Sequence, residues 1–507
     1  MESLCRPPLP LPPLKDIVYD VAIIGAGITG CAAAFELSRT TARVALLDRD
    51  SDVAAGATRA NSGIVHAGYD PLPGTRMARC NVEGNALLHQ YAGELNLPFR
   101  PTGSLVLALS QEELSTLRTL YARGLQNGVP GLRLLSAEEA RAREPALTPE
   151  VRGALYAPTA GVIGPWETAL AFAETAVVNG ADFLPCCEVT GIRRAEGPGG
   201  EKALFVLTTG RGTVCARRVV NAAGARADQV NDLLAPPRLH IRPNRGQYYL
   251  LDRTQGGTVG MVIFQCPTAA GKGVLVAPTA HGNLIVGPDA QDIADPDDTA
   301  TTAAGLAFVA AQARRSVPAL SLRDSIRNFA GVRAVCGEED FILEESAACP
   351  GLITLGGIKS PGLTSAPAIA RECVELLKRS GLALPPRAGF RLCPRPVRFR
   401  DLSPEGRAAA VRRNPLYGRV VCRCETITEG EIADAVRSPI PARSVDGVKR
   451  RAGTGMGRCQ GGFCSPRVAA VLAREWGVPL TAVEQDRPGS FLLTGRTREP
   501  AEEEGGR

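Results

Sequence analysis

The 507-residue sequence lacks any apolar run long enough to cross a membrane as a helix. No segment approaches the roughly 18 apolar residues that indicate a transmembrane span. The proline-rich start, MESLCRPPLPLPPLKD, also lacks the uninterrupted apolar stretch of a secretory signal peptide. We therefore predict a cytoplasmic protein, which would reach a membrane only peripherally, through a partner.

A strong excess of one charge is also missing. The net charge of +6 is mild for this length, so composition does not favour nucleic acid as a partner. Arginines cluster between Arg387 and Arg419, as either a solvated linker or a contact for an acidic partner. Fifteen cysteines without an export signal indicate reduced thiols. No internal repeat is present, and the apolar content of 44% is that of a globular protein of several domains.

A dinucleotide-binding pattern stands near the front of the chain. Residues 21–24 and 44–47 are short apolar runs that predict two strands, with an alanine-rich helix between them. Gly25, Gly27 and Gly30 have the G-x-G-x-x-G spacing, and Asp48 ends the second strand. Such glycines let the backbone approach a pyrophosphate at a helix N-terminus, and such an acid accepts hydrogen bonds from ribose hydroxyls. Because all parts come in order, the pattern predicts dinucleotide binding.

Three later segments favour FAD over NAD. An NAD-binding domain would continue with a regular βα unit, whereas Ala60-Asn61-Ser62-Gly63 interrupts the pattern with small and polar residues. A further predicted strand ends at Gly224. The last segment, GLITLGGIKSPGLTSAPAIAREC, predicts a strand, a glycine turn, a loop and a helix, whose N-terminal amides could meet a flavin.

Together these segments resemble the D-amino-acid-oxidase-like, or glycine-oxidase-like, flavoprotein superfamily, and in particular the catalytic subunits of anaerobic glycerol-3-phosphate dehydrogenases. NSGIVHAGYD and GTRMARCNVEGNALL also resemble L-2-hydroxyglutarate dehydrogenases. The resemblance implies an α/β fold with a Rossmann-like FAD-binding domain and an antiparallel β-rich substrate domain. It implies FAD contacts at Gly25, Gly27, Gly30, Asp48, Ser62, Gly63, Val189 (beside the adenine), Gly224, Gly357, Gly362, Leu363 and Thr364.

Two tight cysteine pairs stand at the back of the chain, Cys422 with Cys424 and Cys459 with Cys464. A T-x-x-E capping box predicts a helix soon after the first pair. Ser465 is the predicted N-cap of a helix after the second pair. Helix N-termini stabilise negative charge, as four metal-bound thiolates require.

The spacing of the four cysteines bears on the metal. Structural zinc sites usually separate paired cysteines by two to four residues, which a C-x-C pair fits poorly. Four cysteines also suit a [2Fe–2S] cluster. CRCETITEGEI and GMGRCQGGFC resemble the bacterioferritin-associated-ferredoxin-like domain, which implies a small helical [2Fe–2S] domain. Zinc and an empty or redox-disulfide site remain alternatives.

The predicted organisation has five parts. They are a proline-rich extension (1–18), a flavoprotein region (19–384), a Pro/Arg-rich linker (385–416), an iron–sulfur domain (417–480) and a tail (481–507). Within the flavoprotein region, 19–85, 150–235 and 330–384 are assigned to FAD, and 86–149 and 236–329 to substrate.

Catalysis needs a base and an anion clamp beside the flavin. With only four histidines, His66 in GIVHAGYD is the leading base, although it could instead hydrogen-bond the flavin. His281, predicted on a strand, is the second choice. Arg333, at a position where related dehydrogenases bind phosphate, is the predicted clamp, with a structural salt bridge as the alternative. Lys359 could stabilise a reduced flavin or face solvent, and Lys272 and Arg245 are weaker anion-binding candidates.

The combination predicts a dehydrogenase with a protein acceptor. Electrons would pass from substrate to FAD, then to the [2Fe–2S] cluster, and on to a protein or quinone-linked acceptor, such as a second flavoprotein or another electron-acceptor subunit. We expect sn-glycerol 3-phosphate as the substrate and dihydroxyacetone phosphate as the product. An L-2-hydroxy acid such as 2-hydroxyglutarate, an amine or amino acid, and a non-enzymatic redox sensor or assembly subunit are the alternatives.

Overall fold

The computed structural model describes residues 10–196, 204–267, 273–337 and 340–495. They form two compact units, a larger one of residues 14–396 and a smaller one of residues 10–13 and 397–495. Over the described ranges, no helix combines the length and apolarity that a bilayer span needs. Lys272 lies outside the described residues.

The larger unit mixes strands and helices along its whole length. Its strands are β1 (Val18–Ile24), β2 (Val44–Leu47), β3 (Ile64–Val65), β4 (Phe99–Arg100), β5 (Ser104–Ala108), β6 (Arg133–Ser136), β7 (Gly153–Ala157), β8 (Gly161–Ile163), β9 (Asp182–Leu184), β10 (Val189–Ala195), β11 (Leu204–Thr209), β12 (Gly212–Asn221), β13 (Ile241–Leu251), β14 (Val262–Gln265), β15 (Leu275–Pro278), β16 (Leu284–Gly287), β17 (Gln291–Asp292), β18 (Ser325–Cys336), β19 (Ile342–Glu345) and β20 (Leu352–Gly356). Its helices are α1 (Ile28–Leu37), α2 (Arg76–Glu94), α3 (Glu113–Gln126), α4 (Ala137–Arg143), α5 (Pro165–Val178), α6 (Ala227–Asp232), α7 (Ala303–Ser316) and α8 (Gly362–Arg379).

One sheet has a parallel centre in the order β20-β12-β1-β2-β9. Antiparallel strands flank it, with β11 and β10 beyond β12, and β19 against β20. The central strands are buried on both faces, which suits their continuous apolar sequence. Ile24 is in register with Leu47 and with Asn221, which in turn pairs with Thr354. The carboxyl ends of four neighbouring strands therefore coincide at one edge.

A second, mostly antiparallel sheet runs in the order β17-β13-β16-β15-β14-β5-β7-β6, and β18 pairs with β13. Only the pair of β14 and β5 is parallel among the assigned pairs of this sheet. Its two faces carry separate apolar cores, one of which includes Tyr248, Phe264 and Ile64. These observations confirm the predicted α/β fold with an antiparallel β-rich domain.

The smaller unit contains α9 (Pro404–Arg413), α10 (Glu429–Val436), α11 (Val445–Ala452), α12 (Ser465–Trp476) and the short strands β21 (Val420–Cys422) and β22 (Ile427–Thr428). Valines and alanines of α10, α11 and α12 form its core. The predicted capping box is present, because the hydroxyl of Thr428 accepts from Glu431 N and the Glu431 carboxylate accepts from Thr428 N. The small helical C-terminal domain is confirmed.

Two segments differ from the organisation expected from sequence. Residues 385–396 of the proposed linker belong to the larger unit, where Thr41 N donates to Pro385 O and Arg395 forms a buried ion pair with Glu174. Residues 397–416 belong to the smaller unit and include α9. The described part of the proposed tail also packs there, since Val483 is buried.

Candidate functional site

The turn after β1 has a backbone that tolerates no side chain at two of its glycines. Gly25 has φ of +104°, and a Cβ on it would lie 2.5 Å from Ala222 O. A Cβ on Gly30 would lie 1.9 Å from Gly25 O. Helix α1 begins next to Gly27 with no side-chain cap and no acidic residue in its first turn. Such a helix N-terminus, approached by bare backbone, suits a pyrophosphate.

Asp48 stands at the end of β2, beside this turn. Its Oδ2 accepts from Ala26 N at 2.7 Å and its Oδ1 from Asp50 N at 2.9 Å. Burial raises the pKa of this carboxyl to about 6 despite those bonds. The loop between β9 and β10, which ends at Val189, passes next to Asp48, because Cys187 N donates to Asp48 O at 2.7 Å. Ribose and adenine contacts from Asp48 and Val189 are therefore compatible with the local geometry.

A pair of salt bridges that share one carboxylate lies beside Asp48, and sequence reasoning missed it. The carboxylate of Asp297 lies 2.6 Å from both Arg49 Nη2 and Arg226 Nη2. These arginines follow the ends of β2 and β12, so Asp297 ties a distant loop to that sheet edge. Hydrogen bonding to Arg49 leads the effects that lower the pKa of Asp297 to about 2. The next residue, Asp298, pairs with the candidate Arg245 at 2.6 Å, which occupies that guanidinium structurally.

A second group of predicted residues meets around the start of α8. Helix α8 begins at Gly362, followed by Leu363 and Thr364, with no side-chain cap. The fully buried Thr364 hydroxyl accepts from His66 N at 2.9 Å and donates to Ile64 O at 3.3 Å. The hydroxyl thus joins the His66 segment to the helix.

Nearby glycines and Ser62 belong to the same group of predicted FAD-binding residues. Gly63 has φ of +67°, and a Cβ on it would lie 2.6 Å from Ile163 O. Gly224 and Gly357 also have positive φ; Gly357 directly follows β20, and Gly224 lies shortly after the end of β12. Ser62 is half-buried beside Gly63. The predicted FAD residues that follow β1, β2, β12 and β20 therefore lie at the sheet edge where parallel α/β proteins bind ligands.

His66 is held firmly by its backbone and stacked by its ring. Its carbonyl oxygen accepts from the side-chain amides of Asn81 and Asn85, both at 3.0 Å. Its ring stacks on Phe264 at 5.5 Å between centroids, and its Nε2 lies 3.4 Å from Ser360 Oγ. The imidazole is half-buried. A fixed and partly accessible imidazole is suited to proton transfer at a defined atom.

Arg333 projects from β18, where it faces Asn244 in the register of β13. Its Nη1 donates to Asn244 Oδ1 at 2.6 Å and its Nη2 to Asp289 O at 3.2 Å. Both acceptors are neutral, so these bonds orient the guanidinium without compensating its charge. Gly246 makes room for it, since a Cβ there would lie 2.1 Å from Arg333 Nη2. A guanidinium oriented by two neutral acceptors is suited to bind an oxyanion.

Tyr248 lies on the same face as Arg333, and sequence reasoning missed it. The pairs Asn244–Arg333 and Tyr248–Phe329 are four residues apart along β13, so their side chains point to the same side of the sheet. Tyr248 stacks on Phe329 at 4.9 Å, and burial raises the pKa of its phenol while Arg333 opposes the rise. The alternation of GQYYLL did not reveal which tyrosine faces inward.

Two other candidates have different surroundings. Lys359 is half-buried in the loop before α8, where its backbone bonds to Gly357 and Gly362. His281 is not on a strand as predicted; it lies in the turn between β15 and β16. There its Nε2 is 2.9 Å from Glu167 Oε1, and Trp166 stacks on the ring. A carboxylate partner leaves His281 better suited to a positioning role than to the reaction with substrate.

The four candidate metal-binding cysteines gather in the smaller unit. Cys422 Sγ lies 3.8 Å from Cys424 Sγ, which lies 4.0 Å from Cys459 Sγ. Hydrogen bonding to Cys422 lowers the pKa of Cys464 to about 7, and burial raises that of Cys424 to about 12. Over the described residues, no group of three His, Cys, Asp or Glu side chains is arranged to hold a single metal ion. Sulfur–sulfur spacings near 3.8 Å match two thiolates on one tetrahedral metal with bonds of about 2.3 Å.

The loops around these sulfurs use unusual backbone conformations. Gly455 and Gly461 have positive φ, as do the non-glycine residues Thr426 and Gln460. A Cβ on Gly457 would lie 2.6 Å from Cys424 Sγ, so the chain passes directly over that sulfur. Strained backbone of this kind persists where a site requires it. The donor set and the close loops therefore fit an iron–sulfur cluster.

The helix start beside the fourth cysteine corrects one prediction. Helix α12 begins at Ser465 itself, and its N-cap is Cys464 rather than Ser465. This shift brings the sulfur-bearing residue directly to the helix N-terminus. The helix dipole thereby favours the thiolate form of Cys464.

Two family profiles match the two parts of the chain that carry these residues. The profile of the FAD dependent oxidoreductase family matches residues 20–376, and that of the BFD-like [2Fe-2S] binding domain matches residues 420–474. Glycerol 3-phosphate dehydrogenase of Caloramator mitchellensis is 46% identical over 482 residues, which cover 95% of this chain and 99% of that protein. Mitochondrial L-2-hydroxyglutarate dehydrogenase of Homo sapiens is 29% identical, over 69% of this chain and 87% of that protein.

A solved structure extends the comparison to the fold. Dithionite-reduced L-alpha-glycerophosphate oxidase from Mycoplasma pneumoniae, with FAD bound, superimposes with a TM-score of 0.68 and 31% identity. The match covers 74% of this chain and 97% of that one. FAD and a [2Fe–2S] cluster are thereby the cofactors of the two domains.

Proposed function

We propose that this chain, which belongs to the FAD dependent oxidoreductase family, oxidises sn-glycerol 3-phosphate to dihydroxyacetone phosphate and passes the electrons through a [2Fe–2S] cluster to a protein acceptor. One observation carries the proposal. The 46% identity to a glycerol 3-phosphate dehydrogenase extends over 95% of this chain and therefore includes both the flavoprotein region and the cysteine module.

The proposed role of Arg333 is to bind the phosphate of the substrate. Its guanidinium is oriented by Asn244 and by a backbone carbonyl, and neither partner cancels its charge. A guanidinium offers five N–H donors in a planar fork that matches a phosphate. Bound in this way, the phosphate fixes one end of the three-carbon substrate and so orients the hydroxyl that is oxidised.

The proposed role of His66 is to accept the proton of that hydroxyl at Nε2. Stacking on Phe264 and the bonds to its backbone limit the movement of the ring. Ser360, with Oγ at 3.4 Å from Nε2, is placed to orient the imidazole. Because imidazole has an ordinary pKa near neutrality, it can take the proton and release it to solvent afterwards.

Bound FAD would supply the acceptor for the hydride of the substrate carbon. Residues after β1, β2, β12 and β20 would hold it, with the pyrophosphate at the start of α1 and the flavin at the start of α8. The four cysteines, Cys422, Cys424, Cys459 and Cys464, would hold the cluster that carries electrons onward. We assign the flavin chemistry to residues 14–396 and the cluster to residues 397–495.

The acceptor is proposed to be a separate electron-transfer protein or flavoprotein subunit. An oxidase would pass electrons directly from the flavin to oxygen and would have no need of a cluster. The cysteine module therefore supports a dehydrogenase. Peripheral attachment to a membrane would then depend on that partner.

Anaerobic titration of the purified holoprotein tests the proposed activity. Glycerol 3-phosphate should bleach the flavin absorbance and then lower the iron–sulfur absorbance, whereas glycerol should do neither at the same concentration. Bleaching by L-2-hydroxyglutarate alone would refute the proposed substrate and make Arg333 a carboxylate clamp. A flavin that none of these compounds bleaches would refute dehydrogenation of either alcohol.

A pair of arginine variants tests the phosphate clamp. Arg333→Gln should raise the glycerol 3-phosphate concentration needed for half-maximal flavin reduction by about 100-fold, as expected for loss of a charge-assisted contact worth about 2–3 kcal/mol. Arg327, an exposed residue of the same strand, provides the matched control. Equal effects of Arg333→Gln and Arg327→Gln would contradict the assignment.

A further inference from the structure

The exposure of the four cysteines is uneven. Cys422 and Cys464 are 1% and 2% exposed, whereas Cys424 and Cys459 are exposed at the surface. The pair that faces solvent is therefore the side of the cluster site from which electrons reach another molecule over the shortest distance.

Phe463 lies in the loop next to these exposed cysteines and is 50% exposed. The guanidinium carbon of Arg423 lies 4.8 Å from the centre of its ring, and that of Arg467 lies 5.8 Å away. Cation–π contacts of this kind hold both arginines beside the aromatic ring. Aromatic and arginine side chains are also the residues most enriched among those that dominate protein interfaces. We call these three side chains the Arg–Phe surface.

The two chain segments that carry the Arg–Phe surface contain basic residues only. The segments VVCRC and GMGRCQGGFCSPRV contain three arginines and no acidic residue. The nearest acid in sequence, Glu425, is buried and pairs with Arg400. Arg458, directly before Cys459, is exposed as well. A basic surface of this kind attracts acidic partners and repels basic ones.

We propose that the Arg–Phe surface docks an acidic one-electron carrier protein over the exposed cysteines. A second copy of this chain has a net charge of +6 and is therefore less favoured by charge than an acidic partner. The proposal deepens the proposed function, because it specifies the acceptor that the cluster serves. Oxidation of one glycerol 3-phosphate releases two electrons and two protons. Each docked carrier takes one electron while one ferrous iron becomes ferric, so two carriers are reduced per substrate and the protons pass to solvent.

Binding of an acidic [2Fe–2S] ferredoxin, used as the probe, tests the surface without any turnover. The dissociation constant of its complex with the oxidised holoprotein is measured by calorimetry at low and at high ionic strength. Arg467→Glu and the double variant Arg423→Glu/Arg467→Glu should weaken binding about 10-fold or more at low ionic strength, since steering charges change association by that order. Phe463→Ala should weaken it at both ionic strengths. Arg412→Glu, at an exposed arginine of α9, should leave it within about 2-fold.

The visible spectrum of each variant must first show a complete cluster, because Arg423 lies between two ligands. If the double variant loses the cluster, Arg467→Glu alone decides the outcome. Failure of the wild-type protein to bind the ferredoxin, or equal binding by Arg467→Glu and Arg412→Glu, would overturn the proposal.

A second measurement separates this proposal from the substrate assignment. Protein reduced with dithionite and freed of excess reductant should reduce the ferredoxin, and Arg467→Glu should slow that transfer about 10-fold. If glycerol 3-phosphate does not bleach the flavin but this transfer remains sensitive to Arg467, the proposed substrate is wrong and the docking surface stands. Transfer that is insensitive to the charge of residue 467 would overturn the surface whatever the substrate.

Discussion

Replacing Thr364 by valine should disturb catalysis through a single hydroxyl. Valine has nearly the same shape as threonine, so packing of this fully buried residue is retained. The hydroxyl, however, accepts from His66 N at 2.9 Å and donates to Ile64 O at 3.3 Å. An N–H left without a partner costs about 1–3 kcal/mol, and the longer second bond adds less. We expect Thr364→Val to lose about 2–3 kcal/mol of unfolding free energy.

The kinetic effect follows from the position of His66. Release of its backbone lets the imidazole shift, and a displacement of about 1 Å can slow a reaction by about 100-fold. Stopped-flow flavin reduction should therefore be about 10- to 100-fold slower in Thr364→Val. Thr364→Ser keeps the hydroxyl and loses one methyl group, so it should cost about 1 kcal/mol and leave the rate within a few-fold. If urea unfolding and flavin reduction do not distinguish the two variants, the hydroxyl does not hold His66.

Three further outcomes concern the cofactors. Because burial raises the pKa of Asp48 to about 6 and ribose hydroxyls bind best to its ionised form, FAD should bind the apoprotein about tenfold more weakly per pH unit below about 6. Fluorescence titration between pH 5 and 8 measures this, and a flat profile would contradict it. Gly30→Ala, whose Cβ would lie 1.9 Å from Gly25 O, should abolish FAD binding and leave the iron–sulfur spectrum intact. Cys424→Ser should remove the visible spectrum of the cluster, but substrate should still bleach the flavin. Cys215→Ser, at a half-buried thiol outside the cysteine module, should change neither property. An intact cluster in Cys424→Ser would contradict the ligand assignment.

The parts of the fold that sequence predicted well are those with local signals. The first strand, the glycine turn and Asp48 lie within about 30 residues, and each has a geometric reason that is visible in the residues themselves. The capping box of Thr428 and Glu431 is equally local. Sequence patterns place helix boundaries only to within about one or two residues. Ser465 was therefore predicted as the N-cap, whereas the N-cap is Cys464.

The contacts that sequence did not predict join distant positions. Asp297 meets Arg49 across 248 residues, and Thr364 meets His66 across 298. Nothing in a short stretch of sequence marks such partners, because they depend on which strands become neighbours in the sheet. The position of His281 was also predicted wrongly. The segment PTAHGNLIVGP contains a strand signal, but the histidine itself lies in the turn between two strands.

The order in which the two units occupy the chain has a consequence for biogenesis. The larger unit ends at Pro396, whereas the last cluster ligand, Cys464, is translated about 70 residues later. At about 5–20 residues per second, this is a delay of about 3–14 seconds. The flavoprotein fold can therefore form and take up FAD on the ribosome before the cluster site is complete. Iron supply would then determine how many FAD-loaded molecules acquire the [2Fe–2S] cluster that accepts their electrons.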